Sequence, residues 1–409
     1  MLSWALPFST FCFLDNNGYR TGMHAAECLL AAGARQSVSA PAGQALETLR
    51  EFRKKTGGWL FGHLGYDLKN EMENLSSGHP DLIGFPDLFF FEPEIIVHIQ
   101  DGLCKIEAPE PGAVFAAISS MVIQPVAVEQ PAITVQSRFS RREYLDVIHA
   151  LQRHISRGDC YEINFCQEFF AEDARIDPYT VFKELNRLSP NPFSALYRMN
   201  DKWLLCASPE RFLRKEGDRL LSQPIKGTAR RAPGNAELDR HIAAELQQNA
   251  KERSENVMVV DLVRNDLSRI CLEGTVKVDE LFGVYAFPQV FQLISTISGQ
   301  LRPGTGISEI VRAVFPMGSM TGAPKKKVME LIEKYEKTKR GVFSGAVGYI
   351  SPSDDFDFNV VIRSILYNAG TRYLSFQTGS GITHYSQAEA EWEECRLKAA
   401  AIRQVLGAG

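Results

Sequence analysis

Ile95-Ile-Val-His-Ile-Gln-Asp-Gly-Leu-Cys-Lys-Ile106 is the stretch that decides the fold. Apolar residues run up to Asp101-Gly102 and resume directly after it, and Asp-Gly suits the two positive-φ positions of a hairpin turn. Strands joined so tightly must be antiparallel, because a parallel pair needs a crossover of a dozen or more residues. Upstream, Leu82-Ile-Gly-Phe-Pro-Asp-Leu-Phe-Phe-Phe-Glu-Pro has the same texture of short apolar runs and turn signals, which extends over residues 1 to about 108.

Downstream, residues 108–136 carry Pro109, Pro111, Pro125 and Pro131 and read as a connection. They divide an amino-terminal region, 1–135, from a second region, 136–409. Beyond the connection, Ser140 followed by Glu143 opens a capping box. Tyr144, Val147, Ile148, Leu151 and Ile155 then recur at helical spacing up to Gly158. Asn235 to about Asp261, Gly322 to about Lys337 and Gln387 to Leu406 also read as helices. Lys202-Trp-Leu-Leu-Cys-Ala, Arg219-Leu-Leu-Ser-Gln, Gly341-Val-Phe-Ser-Gly-Ala-Val-Gly-Tyr-Ile and Tyr373-Leu-Ser-Phe-Gln read as strands. Hairpin-joined strands with grouped helices indicate an α+β fold rather than a regular βαβ alternation.

The 409 residues suffice for a large core, and 44% hydrophobic with 23% charged residues is ordinary for a globular chain. A formal charge of −4 gives no basis for nucleic-acid or membrane-surface binding. Met1 to Leu14 lacks a basic segment and a small-residue cleavage site, and no stretch approaches the ~20 apolar residues of a membrane span. The eight cysteines make no CxxC pair, so reduced thiols and a cytoplasmic location are expected.

Four constellations can carry chemistry. Glu252 with Glu255, and Glu391 with Glu394, each lie three apart, on one face of a helix. Brought together they would make a hard-oxygen site for Mg²⁺; taken alone they equally fit glutamates coating solvated helices. Glu210 in Ser208-Pro-Glu-Arg-Phe212 suits a general acid if its surroundings raise its pKa, or else a surface pair with Arg211. Lys226, bracketed by Pro224 and Gly227, suits a nucleophile if desolvation or the neighbouring Arg230 and Arg231 depress its pKa; its plain alternative is an exposed basic turn. Gly379-Ser-Gly381-Ile reads as a small-residue turn whose backbone can cradle a carboxylate, with Arg363 as a bidentate partner; an ordinary turn and a strand-edge charge are the alternatives. Other motifs fail. Gly318-Ser-Met-Thr-Gly-Ala-Pro-Lys lacks the Lys-Ser/Thr of a phosphate loop, Lys325 to Lys327 reads as a solvated helix face, and Cys160 and Cys166 as packing.

The order of the motifs is more specific than any one of them. Gly158-Asp-Cys-Tyr-Glu-Ile-Asn-Phe, SPERF at 208–212, PIKGT at 224–228 and KERSENVMVVDLVRNDLSR at 251–269 are followed by FPMGSMTGAPK at 315–325. Gly345-Ala-Val-Gly, GSGI at 379–382 and EAEWEE at 389–394 complete the set. Together they closely resemble the chorismate-binding enzymes, which include the first components of anthranilate and aminodeoxychorismate synthases, isochorismate synthase and salicylate synthase. The resemblance is strong over residues 136–409 and weaker before, where Gly62-His-Leu-Gly-Tyr-Asp-Leu is similar to a family strand.

The resemblance implies two large, mainly antiparallel sheets packed as a sandwich with helices outside. At position 226 anthranilate synthases carry alanine, whereas the C4-aminating members carry lysine. It therefore implies amination of chorismate at C4, a step toward 4-aminobenzoate and folate. In the family picture that the resemblance carries over, Lys226 would add at C2 as the C4 hydroxyl, protonated by Glu210, leaves, and ammonia would then displace the lysine. Glu255 and Glu394 match the principal Mg²⁺ carboxylates, with Glu252 and Glu391 acting through water. Arg363, Gly379, Gly381 and Ser319 match groups around the enolpyruvyl carboxylate, and Thr228 joins the substrate contacts.

Three residues depart from the pattern: Gln292 for histidine, Phe343 for tyrosine, and Glu162 where the aminating members carry glutamine. The rivals are an anthranilate synthase component I and a non-catalytic chorismate-binding subunit; isochorismate and salicylate synthases call for lysine at 162, and a pyridoxal phosphate Schiff base on Lys226 is a further alternative. No cysteine elbow with a downstream His-x-Glu is present, so ammonia is expected from a separate glutamine amidotransferase subunit, and a separate lyase is expected to act next.

Overall fold

The Asp101-Gly102 turn forms as the sequence indicates. Strand Leu88–Gln100 pairs antiparallel with Leu103–Glu107, with Gln100 opposite Leu103 and φ of 51° and 74° at the two turn residues. In this computed structural model, residues 1–19, 26–121, 133–232 and 234–408 are described, and Pro125 and Pro131 lie outside them. Every strand ladder among the described residues is antiparallel.

The two sheets of the sandwich are halves of one continuous ladder. It runs from Glu162–Ala171 through Tyr373–Ile382, Ser364–Asn368, Lys202–Ser208, Phe193–Met199 and Thr10–Asp15 to Cys28–Ala40. From there it continues through Leu88–Gln100, Leu60–Leu64, Ala346–Ile350, Phe356–Val360, Arg211–Glu216 and Arg219–Gln223 to Val290–Gln300. Cys28–Ala40 and Leu88–Gln100, each 13 residues long, serve both halves. Their register slips between Ala34 and Gln36, next to Gly33 at φ 73°, where a Cβ would lie 2.8 Å from Glu94 Oε2. Such a bulge bends a strand and increases its twist.

Cys12, Leu29, Tyr197, Leu204 and Leu366 from one half meet Phe61, Phe91, Leu213, Val347 and Phe358 from the other in the shared core. The outer face of the first half, including Phe165, Leu205, Leu374 and Phe376, is covered by Tyr144, Ile148, Leu151, Val328, Leu331 and Ala399 of the helices. Each leucine, isoleucine, valine or phenylalanine among them, fully buried, contributes roughly 1.5–3 kcal/mol. None of the helices among the described residues is long and apolar enough to cross a membrane.

Helix Arg141–Ser156 begins with the expected capping box, Ser140 N donating to Glu143 Oε2 at 2.8 Å. Gln387–Leu406 shortens only to Ala388–Val405. Four readings change, the first being the strand expected from Gly341, which begins only at Ala346 after a turn. Pro111 opens a helix, Pro111–Ser119, inside the stretch read as a connection; proline at the first helical position loses no intrahelical donor. The single helix expected over Asn235 to Asp261 is two, Ala236–Gln248 and Ala250–Ser268. Asn249 takes extended ψ between them and caps the second by accepting from Glu252 N at 3.1 Å. The helix expected from Gly322 starts at Lys325, because Gly322–Ala323 pairs with strand Glu162–Ala171 and Pro324 follows.

Candidate active site

Lys226 stands in strand Ile225–Arg230, whose pairing with Val290–Gln300 slips between Ile225 and Thr228. Gly227 makes this bulge at φ 99°; a Cβ there would lie 2.9 Å from Leu293 Cδ1 and 3.1 Å from Glu252 Oε2. Asn256 Nδ2 donates to Lys226 O at 3.5 Å, while Asn256 Oδ1 accepts from Ser295 Oγ at 2.6 Å. The ammonium is thereby aimed at Glu162, the first residue of strand Glu162–Ala171, donating to its Oε1 at 2.6 Å. Gly381 backs this pair closely: a Cβ there would sit 2.4 Å from Glu162 Oε1 and 2.8 Å from Lys226 Nζ.

The depressed Lys226 pKa expected from nearby cations does not occur. Burial does disfavour the charge, but Glu162, Glu255 and Glu210 outweigh it and hold the ammonium above its ordinary pKa. Arg231 is turned away, paired with Asp239 at 2.6 Å, and Arg230 is exposed.

Glu210 follows strand Lys202–Ser208 and is 4% exposed. Burial pushes its carboxyl up to about 7, against the opposing effects of Ser319 and Lys226. Ser319 Oγ donates to Glu210 Oε1 at 2.6 Å from the short turn Gly318–Met320. A carboxylic acid that keeps its proton near neutral pH, in reach of an ammonium's charge, is suited to protonate a leaving hydroxyl.

The four paired glutamates come from helices Ala250–Ser268 and Ala388–Val405, and all four act electrostatically on the Lys251 ammonium. Burial raises Glu252, and raises Glu255 to about 7. Glu394 is also partly buried, but Lys398, 2.7 Å away, Lys251 and Lys226 leave it below the usual carboxylate value. Glu255 Oε1 and Glu391 Oε2 are buried without a hydrogen-bond partner. Among the described residues no three histidine, cysteine or acidic side chains converge as a metal-ion cluster. The orphaned carboxylate oxygens and the all-oxygen donor set nevertheless fit a hard divalent cation.

Arg363 takes φ 53°, and its guanidinium makes no hydrogen bond or ion pair among the described residues; burial lowers its pKa, with Glu394 opposing. A partly buried cation without a partner suits an anionic ligand. Gly379 and Gly381 are not in a turn, as their small size implied. Strand Tyr373–Ile382 runs through both, with Gly379 opposite Cys166 and Gly381 opposite Asn164. A Cβ at Gly379 would lie 2.4 Å from Phe165 O, so close sheet packing accounts for that glycine. Ser319 is engaged with the acid, and Thr228 is exposed opposite Gln292. Gln292 is buried with Oε1 unpartnered, whereas Phe343 packs into the shared core.

The sequence reading missed a buried clamp. Arg340, 2% exposed, donates to Met320 O at 2.7 Å, Asn164 O at 2.8 Å and Glu336 Oε1 at 2.6 Å. Glu336 Oε1 also accepts from Cys166 N at 2.9 Å. These bonds tie the turn bearing Ser319 to the strand bearing Glu162. A lone arginine before a glycine-rich strand carries no local sign of this. Lys325, read as solvated, is likewise inward, paired with Asp266 at 2.6 Å.

Comparison with known proteins identifies the family of this chain. Aminodeoxychorismate synthase component 1 of Escherichia coli (strain K12) is 36% identical over 340 residues, 82% of this chain and 74% of that protein. Anthranilate synthase component 1 of Thermus thermophilus is 32% identical over 362 residues, 85% of this chain and 77% of that one. The crystal structure of anthranilate synthase component I from Streptococcus pneumoniae TIGR4 superposes with a TM-score of 0.81 at 26% identity, covering 91% of each chain. The sequence model of the chorismate binding enzymes matches residues 11–404. The chain belongs to the chorismate-binding enzyme family.

Proposed function

We propose that this chain aminates chorismate at C4 with ammonia, giving 4-amino-4-deoxychorismate for 4-aminobenzoate and folate synthesis. The observation that carries the reading is a largely buried lysine, Lys226, within electrostatic reach of Glu210, whose carboxyl holds its proton up to about 7. Lys226 Nζ forms a bond to C2, the ring diene relays an electron pair to C4, and Glu210 protonates the hydroxyl that departs as water. Ammonia then adds at C4 and Lys226 is expelled, so one difficult substitution becomes two easier ones. Arg363 and the strand bearing Gly379 and Gly381 face the substrate's carboxylates. Mg²⁺ held by Glu255 and Glu394, with Glu252 and Glu391 through water, would neutralise and orient the ring carboxylate.

Ammonia comes from a separate glutamine amidotransferase subunit, a reading supported by the "component 1" in the names of the relatives. The cytoplasm is the expected compartment, supported by eight cysteines that are all free. Incubation of the purified protein with chorismate, Mg²⁺ and ammonium, followed by mass analysis of the product, tests the reading. Anthranilate or isochorismate as the main product would overturn it.

A further inference from the structure

Glu162 has no role in the steps above, yet it makes the shortest contact to the reacting atom. Its Oε1 receives the Lys226 Nζ–H at 2.6 Å, its side chain is 3% exposed, and its Oε2 is buried without a partner. An ammonium has no lone pair and cannot attack carbon. The carboxylates surrounding Nζ all keep it protonated: Glu162 from strand Glu162–Ala171, Glu210 after strand Lys202–Ser208, and Glu255 from helix Ala250–Ser268. Glu252 and Glu394 lie within electrostatic reach as well, and Gly381 contributes no side chain on its side. With 10% of the Lys226 side chain exposed, the nearest acceptor for its proton is a neighbouring carboxylate rather than bulk water.

We infer that Glu162 is the proton acceptor that converts the Lys226 ammonium into the attacking amine. The inference rests on Lys226 being the nucleophile. In the resting pair, Lys226 carries the proton and Glu162 is a carboxylate. Transfer along the hydrogen bond gives Lys226-NH₂ and Glu162-COOH. The amine lone pair then forms the N–C2 bond while the C4–O bond breaks, and Glu210 gives its own proton to the departing oxygen. When ammonia has added at C4, the N–C2 bond breaks, Lys226 leaves as a neutral amine, and Glu162 returns the proton it held. The C4 ammonium passes its excess proton to the Glu210 carboxylate. Both acids end as they began, and no outside acid or base is consumed. Glu162 Oε2 is buried without a partner, so no other hydrogen-bond donor draws off the negative charge of the accepting carboxylate.

The test is the ammonia-dependent rate of Glu162→Gln relative to the wild type from pH 6 to pH 9. Glutamine keeps the size and a hydrogen-bond acceptor but cannot take a proton. The variant is expected to lose about 10²-fold at pH 6. That deficit should shrink by up to about tenfold per pH unit as solvent hydroxide takes over deprotonation. The Glu210 limb is common to both proteins and cancels in the ratio. A variant as fast as the wild type, or slower by one constant factor at every pH, overturns the inference. Should glutamine prevent folding, Glu162→Ala carries the test: recovery of the pH 6 rate with added formate, which returns a proton acceptor, supports the role, and a rate unmoved by formate refutes it. Wild-type protein that gives no aminodeoxychorismate by mass overturns the function proposed above, whereas a correct product with a flat ratio overturns only the assignment of Glu162.

Discussion

Replacing Glu210 by glutamine should cost the enzyme its turnover and relieve it of a pH-dependent instability. Glu210 is 4% exposed, and burial raises its carboxyl from 4.5 to about 7. Between those two values the folded chain binds a proton that the unfolded chain does not. The wild type is therefore favoured at low pH and loses stability as pH rises from the unfolded toward the folded value, with the full cost present above about 7. The difference of about 2.5 between the two values corresponds to roughly 3 kcal/mol. For a chain of 409 residues that is a shift of about 3–4 °C in melting temperature. Glutamine cannot ionise, so the melting temperature of the variant minus that of the wild type should climb by this amount from pH 5 to pH 8.5. Any fixed gain or loss from glutamine packing, and the titration of Glu255, cancel in that climb. Turnover should fall by about 10²–10⁴-fold, the usual worth of a positioned acid. Differential scanning calorimetry and a product assay on the same samples provide the two readouts. A difference that stays flat with pH would mean Glu210 is already ionised when folded, with no proton to offer a leaving group at neutral pH.

Ser319→Ala removes the hydroxyl that stabilises the Glu210 carboxylate, a bond worth about 1.5–3 kcal/mol. The alkaline limb of the rate profile should move up by about one to two pH units, and an unmoved limb would exclude Ser319 from control of the acid. Gly381→Ala places a Cβ against Lys226 Nζ and Glu162 Oε1, so the rate of chemistry should fall at least tenfold with little change in melting temperature; unchanged kcat would show the pair to be freely displaced. Arg340→Met leaves the buried Glu336 carboxylate unpaired, and a loss of about 3–5 kcal/mol is expected. Denaturation that matches the wild type would show the clamp to be dispensable.

Local chemistry made much of the fold legible. The Asp101-Gly102 turn and the Ser140–Glu143 capping box each lie within a few residues, and both formed as expected. The errors arose where partners are distant or signals ambiguous. Asn249 suits a cap as well as a helix interior, so the break between two helices was hidden in a continuous pattern. Gly379 and Gly381 suggest a turn unless the neighbouring strand that demands their small size is known. The site shows the same division. Lys226, Glu210 and the glutamate pairs were singled out through the order of their motifs, but the ionisation of Lys226 was misjudged. Its decisive neighbour, Glu162, is 64 positions away, and Ser319 lies 109 positions from the carboxyl it serves. Charges adjacent in sequence, Arg230 and Arg231, point elsewhere.

The continuous ladder also sets when this chain can first work. Strand Glu162–Ala171 is bordered by Tyr373–Ile382, so Glu162 is made long before the strand that backs it, and Glu394 follows later still. At the ribosome's roughly 5–20 residues per second, Lys226 waits about ten to thirty seconds for those last elements to emerge. Until then the nascent polypeptide carries an amine with half a pocket, lacking Arg363, Gly381 and the second glutamate pair. The site is thus incomplete until Ala388–Val405 has been made, and a chain terminated before Tyr373 lacks both the strand bordering Glu162 and the second glutamate pair.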